Sequence, residues 1–164
     1  AAVALGLAGC GYKVAGKADL VPKNIRTIAI PPFANVTTRY RLTDKLPAAI
    51  TREFLARTRY QIVTDPVNAD AVLTGSVVNV IAYPTTFDPV TGRAAAVQMH
   101  VVMQITLRDR ATGKAIYQQP ALEFRQRYEI STDPAAYFDE STLAFERLSQ
   151  EVARSVVTAV LELF

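Results

Sequence analysis

From Val97 to Leu107 every second residue is apolar: Val97, Met99, Val101, Met103, Ile105 and Leu107. Gln98, His100, Gln104, Thr106 and Arg108 dominate the alternate positions. Successive residues of a strand point to opposite faces of a sheet. A period of two over this length therefore predicts a long antiparallel strand with one buried and one polar face. Such a strand needs neighbouring strands and a second layer over its apolar side.

The rest of the chain supplies both. Ile25–Ile30 is β-branched and stops at Pro31-Pro32, because proline cannot donate to a ladder. A polar loop, Phe33–Thr38, follows. A helix is predicted from Thr43 as N-cap to about Thr58, with Pro47 near its first turn and Leu42, Leu46, Ile50 and Phe54 on one stripe. Tyr60–Val63 reads as a short strand turned by Asp65-Pro66. Ala71–Tyr83 reads as a longer one, in which Gly75 marks a bulge or a close backbone approach. A loop from Pro84 through Gly92 leads to the alternating strand. Arg110–Lys114 is a hairpin loop with a glycine for the left-handed position. The return strand sets Ile116, Leu122, Phe124 and Tyr128 against Tyr117, Glu123, Arg125 and Arg127, and Pro120 marks an edge or a bulge.

The last element is a helix from about Asp139 or Ser141, with Phe145, Leu148, Val152, Val156, Val160 and Leu163 as its buried stripe. The order β-α-β-β-β-β-α predicts an α+β fold. It is a two-layer sandwich in which two helices pack on one face of a mostly antiparallel, four-stranded mixed sheet. No internal repeat is read in the sequence.

The chain has one cysteine, one histidine and no tryptophan. One cysteine forms no internal disulfide, and with a single histidine it builds no tetrahedral zinc site. Cys10 follows nine residues without a polar side chain, Ala1–Gly9, far short of the roughly 20 needed to span a bilayer. Leu7-Ala8-Gly9-Cys10 resembles the bacterial lipobox, which is cut before the cysteine that then receives acyl chains. Residues 1–9 are then the remnant of a lipoprotein signal, 10–24 a lipidated tether and 25–164 a single domain. Two or more acyl chains at one point hold a protein stably on a membrane.

Residues 13–59 carry a net charge of +7 and residues 60–164 a net of −4. A basic half can serve an anionic surface or ligand. No aromatic-interleaved basic motif points to nucleic acid. The sequence offers no catalytic constellation: His100 has no apparent nucleophile or orienting partner, and Asp139 and Glu140 are better read as helix-start charges. No phosphate loop or metal-ligand cluster is present in the sequence, and no cofactor is expected.

The lipobox with Cys10-Gly11-Tyr12-Lys13-Val14, Val21-Pro22 before the first strand, Asn35 and Thr37 after it, the segment Ala69–Gly75, the hairpin strands and the last amphipathic helix together resemble the LptE family. These are lipopolysaccharide-assembly lipoproteins of the outer membrane. The resemblance implies a non-enzymatic protein, anchored at the periplasmic face, that plugs and helps assemble the LptD β-barrel and binds lipopolysaccharide during its insertion. It also implies basic contacts on the loop before the third main strand, where this chain has Arg93; guanidinium groups suit lipid A phosphates. At the start of the last helix, Phe138-Asp139-Glu140 offers no second cation. The β-α-β start also resembles LpoB-like activators of peptidoglycan synthases and CsgG-type secretion lipoproteins. LpoB-like proteins usually carry a long linker, whereas about 14 residues here separate Cys10 from the first strand and reach about 50 Å at most.

Overall fold

The computed structural model describes residues 25–37, 41–131 and 134–162, and the alternating segment is the spine of its sheet. In chain order the elements are β1 (Thr27–Ala29), β2 (Ala34–Asn35), α1 (Arg41–Arg57), β3 (Gln61–Val63), β4 (Ala71–Phe87), β5 (Ala94–Asp109), β6 (Ala115–Glu129) and α2 (Pro134–Leu161). A single 3-10 turn at Pro66–Asn68 precedes β4, capped by Asp65, whose carboxylate accepts the Val67 N–H at 2.9 Å.

The sheet runs β3-β1-β4-β5-β6, with β2 on the outer side of β4. β4, β5 and β6 form an antiparallel meander, and β1, β2 and β3 add parallel pairs. The α+β two-layer plan with a mixed sheet and two helices is therefore as expected. The strand count is six where four were expected, because the short β2 and β3 join β1 and the β4-β5-β6 meander. β2 replaces part of the expected polar loop: Ala34 and Asn35 pair with Ser76 and Val77.

The six apolar residues of the Val97–Leu107 alternation are all buried. Five of them, Met99 to Leu107, meet Leu42, Leu46, Ile50 and Phe54 of α1, and Phe145, Leu148, Val152, Val156 and Val160 of α2, in one continuous core. Leu163 lies outside the described residues. The helices run parallel. Lys45 Nζ lies 3.2 Å from Glu146 Oε1, and twelve residues further along each helix Arg57 Nη1 donates to Thr158 Oγ1 at 2.8 Å.

Pro47 sits inside α1, not in its first turn, because the helix begins before Thr43. A proline there leaves the carbonyl of Thr43 without its helical N–H donor. That carbonyl instead accepts the N–H of Phe33, at 3.4 Å. The Asn35 amide donates to Thr43 Oγ1 at 3.4 Å, while Asn35 Oδ1 accepts from the Thr37 N–H at 2.8 Å and its hydroxyl at 2.7 Å. The helix-breaking residue thus helps to dock α1 on β2.

Gly75 marks a close approach rather than a bulge. The Phe33 ring lies flat on it, 2.4–2.7 Å from where a Cβ would be. The nearby bulge falls between Val77 and Asn79. β4 also runs past Pro84 to Phe87, four residues beyond its expected end at Tyr83. The proline is tolerated there because β2 stops at Asn35, leaving this half of β4 at a sheet edge. In β6 the extra residues lie at Pro120-Ala121 and again at Ile116. The shifts place Tyr117 opposite Leu107, so it packs against the core and not, as expected, on the polar face with Glu123.

Candidate functional site

Both ends of β5 turn in the same way. Asp88-Pro89-Val90-Thr91-Gly92-Arg93 and Asp109-Arg110-Ala111-Thr112-Gly113-Lys114 share the pattern Asp-x-x-Thr-Gly-base. In each turn the aspartate carboxylate accepts the two N–H groups that lie two and three residues on, at 2.8–3.1 Å. In each the aspartate carbonyl accepts the glycine N–H at 2.9 Å. The glycines sit at φ +67° and +70°, the left-handed region that disfavours side chains. The backbone N–H groups of Thr91 and Val90, with the Thr91 hydroxyl, hold the Asp88 carboxyl below the usual aspartate range. This is a repeat that the sequence reading missed; the spacing of Asp, Thr, Gly and base was the available signal.

Arg93 occupies the last slot of the first turn and is exposed. Its backbone is fixed: its N–H reaches Thr91 Oγ1 at 3.4 Å and its carbonyl accepts the Asp88 N–H at 2.8 Å. Lys114 holds the equivalent slot at the other end of the sheet. Cys10 lies outside the described residues.

The helices cover one face of the sheet and the described elements leave the other open. On that open face, cross-strand partners form rows over three strands. One row is Ile81–His100–Arg125 and the next is Tyr83–Gln98–Arg127. His100 Nε2 is 3.2 Å from Glu123 Oε2, so the one imidazole is oriented by a carboxylate. Its neighbours along the row, Ile81 and Arg125, are not nucleophiles, and the pair reads as a strand-to-strand contact. Arg127 Nη2 donates to Thr86 Oγ1 at 3.3 Å, which stretches its guanidinium across β5 towards β4.

The other basic concavity is a cleft of about 790 Å³ at the C-terminal ends of the helices, lined by Arg26, Arg57, Arg59 and Asp70 among others. Two of its charges are already engaged. Arg57 binds Glu53 and Thr158. Asp70 accepts the backbone N–H groups of Arg26 and Thr27 at 2.8 and 3.0 Å, and those bonds lower its pKa. Among the described residues no three His, Cys, Asp or Glu side chains are placed to hold a metal ion. No described helix is long and apolar enough to cross a membrane.

The family model for LptE, lipopolysaccharide-assembly, matches residues 25–160. The chain belongs to this family. The match takes in every described strand and nearly all of α2. No curated protein matches the chain closely enough to add to this. Solved structures share the same α+β fold. The rare lipoprotein B from Shewanella oneidensis aligns with a TM-score of 0.57 at 14% identity, over 82% of this chain and 93% of its own. A lipoprotein from Caulobacter crescentus CB15 aligns at 0.53 and 16% identity, over 78% and 86%. The hypothetical protein CT253 from Chlamydia trachomatis aligns at 0.53 and 14%, over 83% and 98%. At such identities the likeness shows the shared fold alone. Family membership, resting on the sequence model, makes this an LptE lipopolysaccharide-assembly protein.

Proposed function

We propose that this chain is a non-catalytic lipoprotein of the outer membrane that works inside an LptD-type β-barrel, as its plug and assembly partner, and binds lipopolysaccharide as it passes to the outer leaflet. The observation that carries the proposal is the LptE family match over residues 25–160. The arrangement is consistent with it: an α+β body with its open sheet face and its turns presented to solvent, and no described helix fit to span a bilayer. Acyl chains on Cys10 would anchor the body at the periplasmic face, and the tether at residues 10–24 reaches about 50 Å at most when extended. That short reach suits a partner in the same membrane.

In this proposal Arg93 meets a lipid A phosphate from the tip of the β4–β5 turn, where its fixed backbone and exposed side chain leave the guanidinium free to make bidentate bonds. The test is affinity purification of the full-length lipoprotein from solubilised outer membranes. A large β-barrel of the LptD type is expected to co-purify. Recovery of a peptidoglycan synthase alone would overturn the proposal in favour of the LpoB-like alternative. Arg93→Asp is expected to weaken lipopolysaccharide binding severalfold with an unchanged melting temperature; unchanged binding would remove Arg93 from the site.

A further inference from the structure

The open sheet face carries charge and apolar surface in separate columns. Arg125 and Arg127 stand two residues apart on the same face of β6, about 7 Å from one another along the strand. Ile81 and Tyr83 stand at the same two levels on β4, two strand spacings or about 10 Å away. Both are conspicuously bare, at 48% and 47% exposure, in a strand without a single charged residue from Ala71 to Phe87. A column of exposed apolar side chains on a sheet calls for an explanation that singly scattered ones do not.

The cations stand between two acids, Glu123 and Glu129, each two residues away along β6, and neither is in ion-pair contact with them; Glu123 turns instead towards His100. Among the described residues no carboxylate pairs with Arg125 or Arg127, and the Arg127 guanidinium donates only to the neutral hydroxyl of Thr86. That bond holds one guanidinium over the middle strand, between the two columns. Two arginines at this spacing on one face can bring both guanidinium groups to a single phosphate, which takes paired N–H donors from each. Between the columns, His100 and Gln98 offer polar edges suited to a sugar or amide.

We propose that this face seats a phosphate-bearing acylated amphiphile, Arg125 and Arg127 taking the phosphate and Ile81 and Tyr83 the first part of the hydrocarbon. The proposal rests on the lipopolysaccharide reading given above and names lipid A as the occupant. It places the principal seat five to seven residues beyond Arg93 along β5, at Gln98 and His100, on paired strands.

The experiment uses the full-length protein and three probes: bisphosphorylated lipid A in detergent micelles, its dephosphorylated counterpart in the same micelles, and inorganic phosphate. Arginine modification by phenylglyoxal is mapped by mass spectrometry. Lipid A is expected to shield Arg125 and Arg127 at least fivefold more than Arg154 on α2, and the dephosphorylated lipid to shield neither. Arg125→Gln/Arg127→Gln is expected to weaken lipid A binding at least tenfold, and Ile81→Thr/Tyr83→Thr at least threefold. Shielding by inorganic phosphate equal to that by lipid A would overturn the amphiphile seat. So would lipid A binding that survives the double arginine variant and is lost in Arg93→Asp; that result leaves the lipopolysaccharide reading standing. No binding of lipid A by the unmodified protein overturns both. Should either double variant melt below the wild type, the shielding pattern on the unmodified protein decides.

Discussion

A Cβ at position 75 would lie 2.4–2.7 Å from three atoms of the Phe33 ring, closer than non-bonded carbons approach. Phe33 is only 2% exposed and is tied to α1 through its N–H bond to the Thr43 carbonyl, so the ring has nowhere to retreat without loosening the helix. Gly75→Ala is therefore an overpacking substitution, of a kind that costs about 1–3 kcal/mol. The expected outcome is a fall of several degrees in melting temperature. Phe33→Leu should destabilise the wild type but recover part of the loss in the Gly75→Ala background, a non-additivity that a double-mutant cycle reads directly. Equal melting temperatures for wild type and Gly75→Ala would show that the contact relaxes freely.

Asp70 works between elements. Its carboxylate receives two N–H groups at the start of β1, its own N–H donates to the Thr27 carbonyl, and its carbonyl accepts from Arg110 beyond β5. The Arg26 and Thr27 N–H bonds, helped by the nearby Arg26 and Arg110 charges, hold its pKa below the ordinary aspartate value of about 3.9. A carboxyl whose pKa is lower in the folded state than in the unfolded chain stabilises the fold above its unfolded pKa. That stabilisation fades as pH falls through the folded value. Asp70→Asn should thus lower the melting temperature at pH 7, and the gap to wild type should close below about pH 4. A gap constant from pH 7 to pH 3 would show that the charge contributes nothing. At this scale the long elements were legible: the period-two run from Val97 and the four-residue spacing of Leu42, Leu46, Ile50 and Phe54 map directly onto β5 and α1. Misreadings arose where tertiary contacts override local signals. Pro84 and Pro47 read as an end and a start, but the edge of the sheet tolerates one and Phe33 uses the carbonyl freed by the other. A bulge shifts the face of every residue beyond it, which is how Tyr117 moved to the core. Arg125 and Arg127 were visible as a polar face, yet their alignment with Tyr83 and Ile81 depends on a three-strand register that no single segment encodes.

Across the whole molecule, the core and the proposed anchor are separate. The continuous core runs from Ile25 to Val160, within the family-matched residues 25–160, and Leu161 packs against it one residue beyond. If acyl chains on Cys10 attach this body to the membrane, attachment and folding obey different terms. A single chain binds a bilayer only marginally, so firm attachment requires more than one at that residue. Cys10→Ser should then leave the melting temperature, and lipid A binding in micelles, within error of the wild type. The same variant, produced in cells without a barrel partner, should move from the membrane fraction to the soluble periplasmic fraction. Producing it together with an LptD-type barrel separates two kinds of retention: a variant still recovered with the barrel is held by protein contact, whereas the lipid alone holds the wild type when no barrel is present. Membrane fractionation of Cys10→Ser that matches the wild type in the absence of a barrel would dismiss the acyl anchor and return Cys10 to the status of an ordinary free thiol.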